Sequence, residues 1–382
     1  MENLVYLDNA ATTFPKPECV YNAMDTFART NGVSLGRGQH ILSARASAIA
    51  DETRELLLNL FHCSNKKVVF TNTATEALNI IIKGINIPNG ANVYISPFEH
   101  NAVTRTLYYL SQKTDFNLIQ LETDKQTLLL NTDKIKLQFE RNPPFSVIIS
   151  HVSNVIGAIA PIEQIFELAK QYNAITIADL CQSAGLIDIN ISSVNYDYIV
   201  FAGHKTLYGP LGVSGFISSF PQKIDPIIIG GTGVESANQS MPDEIPVKYE
   251  AGSHNTTAIV GLNASLKWIL ETGVNTIHQK EQENYEKLCS VFDAYGNIHY
   301  YKPANHAGVI SCLFDGYSSD EIGQVLSQNN IAVRIGLHCA PYAHKFIGTF
   351  PAGTVRFSVS YFNTESEFER LDKVLDYINE NS

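Results

Sequence analysis

Basic clusters, long apolar runs and paired cysteines are all missing from this chain of 382 residues. Acidic side chains outnumber basic ones, 38 to 27, giving a formal net charge of −11, and no stretch gathers lysine and arginine together. Neutralising a phosphate backbone needs such a cluster, so nucleic-acid binding is excluded as a main task. No apolar run approaches the length that spans a bilayer. The start, Met1-Glu2-Asn3-Leu4, lacks a basic region followed by an apolar stretch, so neither a membrane role nor a signal peptide is expected. The six cysteines (19, 63, 181, 289, 312 and 339) are scattered, with no CxxC pair and no metal-ligand spacing. That argues against a metal site and a disulfide framework, and for free thiols in a reducing cytoplasm. What is present is an ordinary globular composition, 45% hydrophobic and 17% charged, long enough to bury a sizeable core and form more than one lobe.

Short β-branched runs alternate with amphipathic stretches along most of the chain. Strands are predicted at 68–71, 93–96, 118–121, 146–150, 175–179, 198–202 and 213–217, with helical patterns at 74–83, 101–110 and 161–172 between them. Near-continuous apolar strands alternating with helices indicate an α/β fold: a mostly parallel sheet covered on both faces. In such folds ligands gather at the carboxyl ends of the strands. From about residue 259 the pattern changes to long helices (258–271 and 274–296) and then strands near 308–314, 331–335 and 354–360. The capping boxes Ser318-x-x-Glu321 and Thr364-x-x-Glu367 open two further helices. We therefore expect a large α/β domain over 16–258 and a smaller α+β domain made of 1–15 plus 259–382.

The most telling residues are Gly203-His204-Lys205-Thr206-Leu207, read with Asp179. The apolar run 198–202 delivers Lys205 into a turn, and the run 175–178 ends in Asp179. A lysine at a buried strand end is costly to desolvate unless it is paired or used covalently. One acid and one lysine at neighbouring strand ends suit pyridoxal phosphate, whose aldehyde takes the lysine and whose pyridine nitrogen takes the acid. A structural Asp–Lys ion pair satisfies the same two residues. Thr71-Asn72-Thr73-Ala74-Thr75-Glu76 follows a strand and opens a helix, as a phosphate site does, although Thr73 with Glu76 reads equally as a capping box. His100 stands at the next such junction, where a cap or surface role is the ordinary one, and Ser150-His151-Val152-Ser153-Asn154 repeats the theme. Gln182, three residues after Asp179, can reach the phenolic oxygen of the same ring.

Taken in order, the motifs resemble the cysteine desulfurase group of class V aminotransferases, nearest its type II branch of desulfurases and selenocysteine lyases. The likeness runs almost end to end: Tyr6-Leu7-Asp8-Asn9-Ala10-Ala11-Thr12-Thr13, Arg37-Gly38-Gln39-His40, Thr73-Ala74-Thr75-Glu76, Glu99-His100-Asn101, 151–157, Asp179 with Gln182, Gly203-His204-Lys205, 249–253 and 355–358. It implies a fold-type-I, pyridoxal 5'-phosphate-dependent transferase, and it assigns roles by position. Lys205 is implied as the cofactor lysine and the base for the substrate's α-proton. Asp179 is implied for the pyridine nitrogen, Gln182 for the phenolic oxygen, and His100 for ring stacking and proton handling. Ala74, Thr75 and His204 are implied for the phosphate. Ser253 resembles a hydroxyl given across a dimer interface, so a homodimer with composite sites is implied. Asn154 and Arg356 are implied for the substrate carboxylate, with Arg334 and Arg37 near it.

Cys339 decides the reaction. A free cysteine is most often an inert core residue, but here it stands in the segment where type II desulfurases carry their nucleophile, with Arg334 five residues before it. The implied reaction converts L-cysteine to alanine, leaves a persulfide on Cys339 and hands its sulfur to an acceptor. The alternatives are a selenocysteine lyase, a cysteine-sulfinate lyase or another C–S lyase, none of which needs the thiol. The non-enzyme alternative is a pyridoxal-binding sulfur carrier. The chain departs from the family at Ala202, where a hydroxyl residue is usual, at Gly36, where a histidine is usual, and in a longer interval from Cys339 to Arg356.

Overall fold

The computed structural model describes residues 4–36, 40–222 and 224–380. Arg37, implied for substrate binding, lies outside the described residues. The first half contains β1 (Val5–Tyr6), α1 (Glu18–Thr30), α2 (Ile41–Leu60), β2 (Lys67–Thr71), α3 (Ala74–Gly84), β3 (Asn92–Ile95), α4 (Asn101–Ser111), β4 (Asn117–Gln120), α5 (Thr132–Arg141), β5 (Ser146–Ser150), α6 (Ile162–Lys170), β6 (Ile175–Asp179), β7 (Tyr198–Ala202) and β8 (Ser214–Ser218). Strands β2 to β8 form one sheet in the order β2-β8-β7-β6-β5-β3-β4, parallel except for β8, which runs against both neighbours. Side chains alternate between its faces as strand geometry demands. Phe70, Val147, Ile149, Ile199 and Phe201 enter one core. Val69, Ile148, Tyr198 and Val200 enter the other, beneath Leu78, Ile81, Val103 and Leu107 of α3 and α4. Both faces are covered, which is why the central strands read as continuous apolar runs.

The second half adds α7 (Thr256–Thr272), α8 (Val274–Asp293), β9 (Ile298–Tyr300), β10 (Val309–Phe314), α9 (Ser319–Gln328), β11 (Ile331–Ala332), β12 (Arg334–Gly336), α10 (Pro341–Ile347), β13 (Thr354–Ser358) and α11 (Glu365–Glu380). An antiparallel sheet, β12-β13-β10-β9, packs with Leu288, Phe292, Leu371 and Leu375 into its own core, which Val5 and Leu7 join through the β1–β11 pair. Ser318 forms a full capping box with Glu321 at the start of α9. Helix α7 sends Ala258, Leu262, Leu266 and Ile269 into the core of the large sheet. The two cores meet along α8, whose Ile277 joins the large one and whose Tyr285, Leu288 and Phe292 fill the small one. The dividing line we propose therefore runs through α8 and not ahead of residue 259.

Candidate active site

The carboxyl ends of β2, β3, β5, β6 and β7 open on one cavity of about 260 Å³, closed from the other side by the segment 334–339 and by β13. Ala74, Thr75, His100, Asn154, Asp179, Gln182, His204, Lys205, Arg334, Cys339 and Arg356 all line it, residues spread over 283 positions of sequence (356 − 74 + 1). Ser253 does not. It sits exposed in a separate cavity with Arg54, Glu250 and His254.

The register of the sheet sets the acid and the lysine. Ser150 pairs with Asp179, and Asp179 with Val200, so the ends of β5, β6 and β7 lie side by side. The Asp179 carboxylate is buried and accepts the Cys181 N–H at 2.9 Å. Lys205 follows β7 in a turn that the first residues of the chain hold in place. Thr12 Oγ1 and Thr13 N donate to the His204 carbonyl at 2.9 and 3.0 Å, and Thr13 Oγ1 donates to the Lys205 carbonyl at 2.8 Å. Lys16 Nζ reaches the His204 carbonyl at 3.2 Å as well. This is the physical content of the Tyr6–Thr13 motif: it fixes the lysine turn from across the fold. The Lys205 amino group makes no hydrogen bond or ion pair among the described residues, so the alternative of a structural Asp–Lys ion pair does not form and the amine is available to a ligand.

Thr73 caps α3, its hydroxyl accepting the Glu76 N–H at 3.1 Å. Glu76 reaches the Asn72 N–H at 3.0 Å and not that of Thr73, so the capping box is only half formed. The Ala74 and Thr75 N–H groups have no partner among the described residues, and both residues line the cavity at the start of α3, which is the arrangement that binds phosphate. His204 lines the same end, with a buried Nδ1 that has no partner among the described residues. His100 caps α4, its Nδ1 accepting the Ala102 N–H at 3.0 Å, which places its proton on Nε2. It is both cap and cavity wall. The Gln182 amide donates to the Ala10 carbonyl at 2.8 Å, leaving one N–H for a ligand.

At the far end two guanidinium groups face each other. Arg334 on β12 pairs directly with Arg356 on β13, so both project from the same face of the small sheet. Two like charges there call for anions. Arg356, 2% exposed, donates to Asp8 Oδ1 at 2.7 Å and to the Asn154 carbonyl at 2.9 Å, while its Nε is buried with no partner among the described residues. Arg334 lies 3.8 Å from Cys339 Sγ. Cys339 and His338 both adopt the left-handed conformation, φ 58° and 46°, which costs a non-glycine residue on the order of 1–3 kcal/mol. Cross-lobe hydrogen bonds hold them there. Asn101 N–H donates to the Cys339 carbonyl and Asn154 Nδ2 to the His338 carbonyl, both at 2.7 Å. The His338 ring bonds Thr354 Oγ1 at 3.0 Å, and Thr354 donates onward to Ser311 at 2.9 Å. His338, Asp8 and Cys181 were not singled out from sequence as site residues. His338 and Cys181 lay next to ones that were, and Asp8 lay inside the Tyr6–Thr13 motif.

Burial governs the titration of this region. It lowers His100, His151, His204 and His344 to about 4 and His338 to about 2. It raises Glu99, despite three hydrogen bonds from Ser96 and Ser150, to about 7, and Glu281 to about 8. Below about pH 6.5 the unfolded chain protonates the histidines and the folded chain does not, so stability falls with acid. Above pH 6.5 the folded chain still holds the two carboxyl protons that the unfolded chain has lost, so stability falls with base as Glu99 and Glu281 ionise. The ligand-free protein is thus expected to melt highest near pH 6.5 and lower at both pH 5 and pH 8. A melting temperature that climbs steadily from pH 6.5 to 8 in differential scanning calorimetry would contradict this balance.

The residues fit a phosphorylated pyridine aldehyde. Free N–H groups and His204 Nδ1 stand at one end, an amine and a buried acid in the middle, and guanidinium groups with a thiol at the other. Among known proteins, the class V aminotransferase family matches residues 5–371. A cysteine desulfurase of Shigella sonnei is 31% identical over 96% of this chain and 91% of its own length. A probable cysteine desulfurase of Methanothermobacter thermautotrophicus is 27% identical over 98% of this chain and 94% of its own. An apo cysteine desulfurase structure from Thermococcus onnurineus NA1 superposes with a TM-score of 0.91 at 28% identity, covering 100% of this chain and 96% of that one. No described helix is long and apolar enough to cross a membrane, and no described group of histidine, cysteine, aspartate and glutamate could hold a metal ion.

Proposed function

Because the chain belongs to the class V aminotransferase family, we propose that it is a cysteine desulfurase dependent on pyridoxal 5'-phosphate. The observation that carries this reading is Cys339 Sγ beside Arg334 in the same cavity as Lys205 and Asp179. The family implies the cofactor. The N–H groups of Ala74 and Thr75 with His204 would hold its phosphate, Asp179 its pyridine nitrogen, Gln182 its phenolic oxygen and Lys205 its aldehyde carbon. Bound there, it supplies a sink for the electrons left on the substrate's α-carbon when the proton leaves.

The chain's own residues do the rest. Arg356 and Asn154 orient the substrate carboxylate, and burial of the arginine strengthens that contact by excluding water. Lys205 Nζ takes the α-proton, and His100, neutral at physiological pH with its proton on Nε2, donates or shuttles protons at the sulfur. Cys339 Sγ attacks the substrate sulfur. A sulfur–sulfur bond forms, the carbon–sulfur bond breaks, and its electron pair stays with the carbon skeleton, which takes up a proton to become alanine. Arg334 Nη2 lies 3.8 Å from the sulfur that attacks. The segment 334–340 as the seat of the nucleophile supports the type II branch. Ser253, exposed in its own cavity, supports a homodimer in which a second copy completes the phosphate site.

Incubation with one equivalent of L-cysteine per chain should release alanine and leave a persulfide on Cys339, and further L-cysteine given with a thiol reductant should turn over continuously. Absence of alanine under both conditions would overturn the reading.

A further inference from the structure

Cys339 borders a second space. A groove of about 360 Å³ runs between α3 and α4, and its walls include His100 and Cys339, which also line the inner cavity. Cys339 therefore stands between the inner cavity and the groove. Along the groove stand Asn79, Lys83, Arg105 and Tyr109, and among the described residues no aspartate or glutamate lines it. Lys83 and Lys113 both lie over the Tyr109 ring, at 5.2 and 4.4 Å. Arg105 is close enough to depress the titration of His100. A run of cations leading to the nucleophile contrasts with a chain whose net charge is −11.

We propose that this groove binds a small thiol carrying one or more carboxylates and presents its sulfur to the Cys339 persulfide. The inference rests on the desulfurase reading above and names its sulfur acceptor. Charge selects an anion, because Lys83 and Arg105 are uncompensated along the groove. Size selects a small molecule. Thr75 and Lys83 are eight residues apart on one helix face, about 12 Å, and the volume lies at the lower end of small-molecule sites. The acidic net charge of the molecule opposes a large acidic protein over its whole surface, whereas a compact anion enters within about 8 Å of the cations at physiological salt. In the transfer the acceptor thiolate attacks the outer sulfur of the persulfide. A new sulfur–sulfur bond forms on the acceptor, and the bond to Cys339 breaks. Its electron pair returns to Sγ as the thiolate beside Arg334, and the outer sulfur keeps its proton. No external oxidant or reductant is required.

The test loads the holoenzyme with one equivalent of L-cysteine, confirms alanine and the persulfide by intact mass, and then adds mercaptosuccinate, 2-mercaptoethanol or cysteamine at matched thiolate concentration. At low salt mercaptosuccinate should discharge the persulfide at least about tenfold faster than cysteamine, and high salt should shrink the ratio. Lys83→Gln/Arg105→Gln should bring the ratio near one while the loading step is unchanged. Equal discharge by the three thiols in the wild type, or a ratio untouched by salt and by the double variant, would overturn the inference and leave the groove to an acceptor protein. Failure to load at all would instead sink the desulfurase reading, and this inference with it.

Discussion

Replacing Lys205 with alanine is expected to abolish alanine formation from L-cysteine, a loss on the order of 10⁴-fold or more. No cofactor that borohydride can fix to the chain should remain. Among the described residues Lys205 is the only lysine lining the inner cavity, and it stands one residue after His204 and at the sheet end beside Asp179. The other cations there are arginines, which neither attach to an aldehyde nor release a proton near neutrality. The turn itself does not depend on the side chain. Thr12 and Thr13 grip the carbonyls of His204 and Lys205, and those bonds persist in the variant. Thermal stability of the ligand-free protein should therefore change little, which separates lost chemistry from lost folding. Lys205→Arg should fail as completely, since it restores charge without a transferable proton. A borohydride-reducible link that survives in Lys205→Ala would show that another residue carries the cofactor.

How much of this was legible in sequence follows from what kind of signal each residue sends. The parallel strands announced themselves because both faces of the sheet are buried, and the strand-end residues Asp179 and Lys205 inherited that clarity. The half-formed box at Thr73 and the cap at His100 were also readable as local chemistry, though not the fact that each caps a helix and walls the cavity at once. What single positions could not reveal were contacts set by tertiary register. Asp8 meets Arg356 across 348 positions, and Arg334 faces Arg356 only because β12 and β13 pair. The predicted strand at 331–335 proved to be two: Ile331–Ala332 pairs with β1, and Arg334–Gly336 joins the antiparallel sheet. A chain that changes partners within two residues carries no periodicity to announce it. The same holds for α7, whose length suggested a boundary but whose apolar face belongs to the large core.

Cys339→Ala is the second large expected effect and the one that divides the reaction classes. Alanine production from L-cysteine should fall by at least about 10²-fold, with no persulfide on the chain, while cofactor absorbance stays that of the wild type. The reasoning starts from the leaving group. The electron pair of the carbon–sulfur bond stays with carbon, so the sulfur needs a nucleophile to receive it, and Cys339 Sγ, held in a left-handed turn beside Arg334, is the only described thiol of the 334–340 segment able to do so. Cys181 also borders the cavity, but burial and the neighbouring Asp179 push its thiol well up, so it stays protonated and does not substitute. A substrate that departs as sulfite or selenium needs no such attack, so cysteine sulfinate or selenocysteine should still yield alanine in the variant. Substrate-dependent loss therefore marks a desulfurase working through Cys339. Equal alanine from L-cysteine in both proteins would move the chain to the lyases, because the carbon–sulfur bond would then break without a sulfur nucleophile and the arginine–thiol contact would have no part in the chemistry.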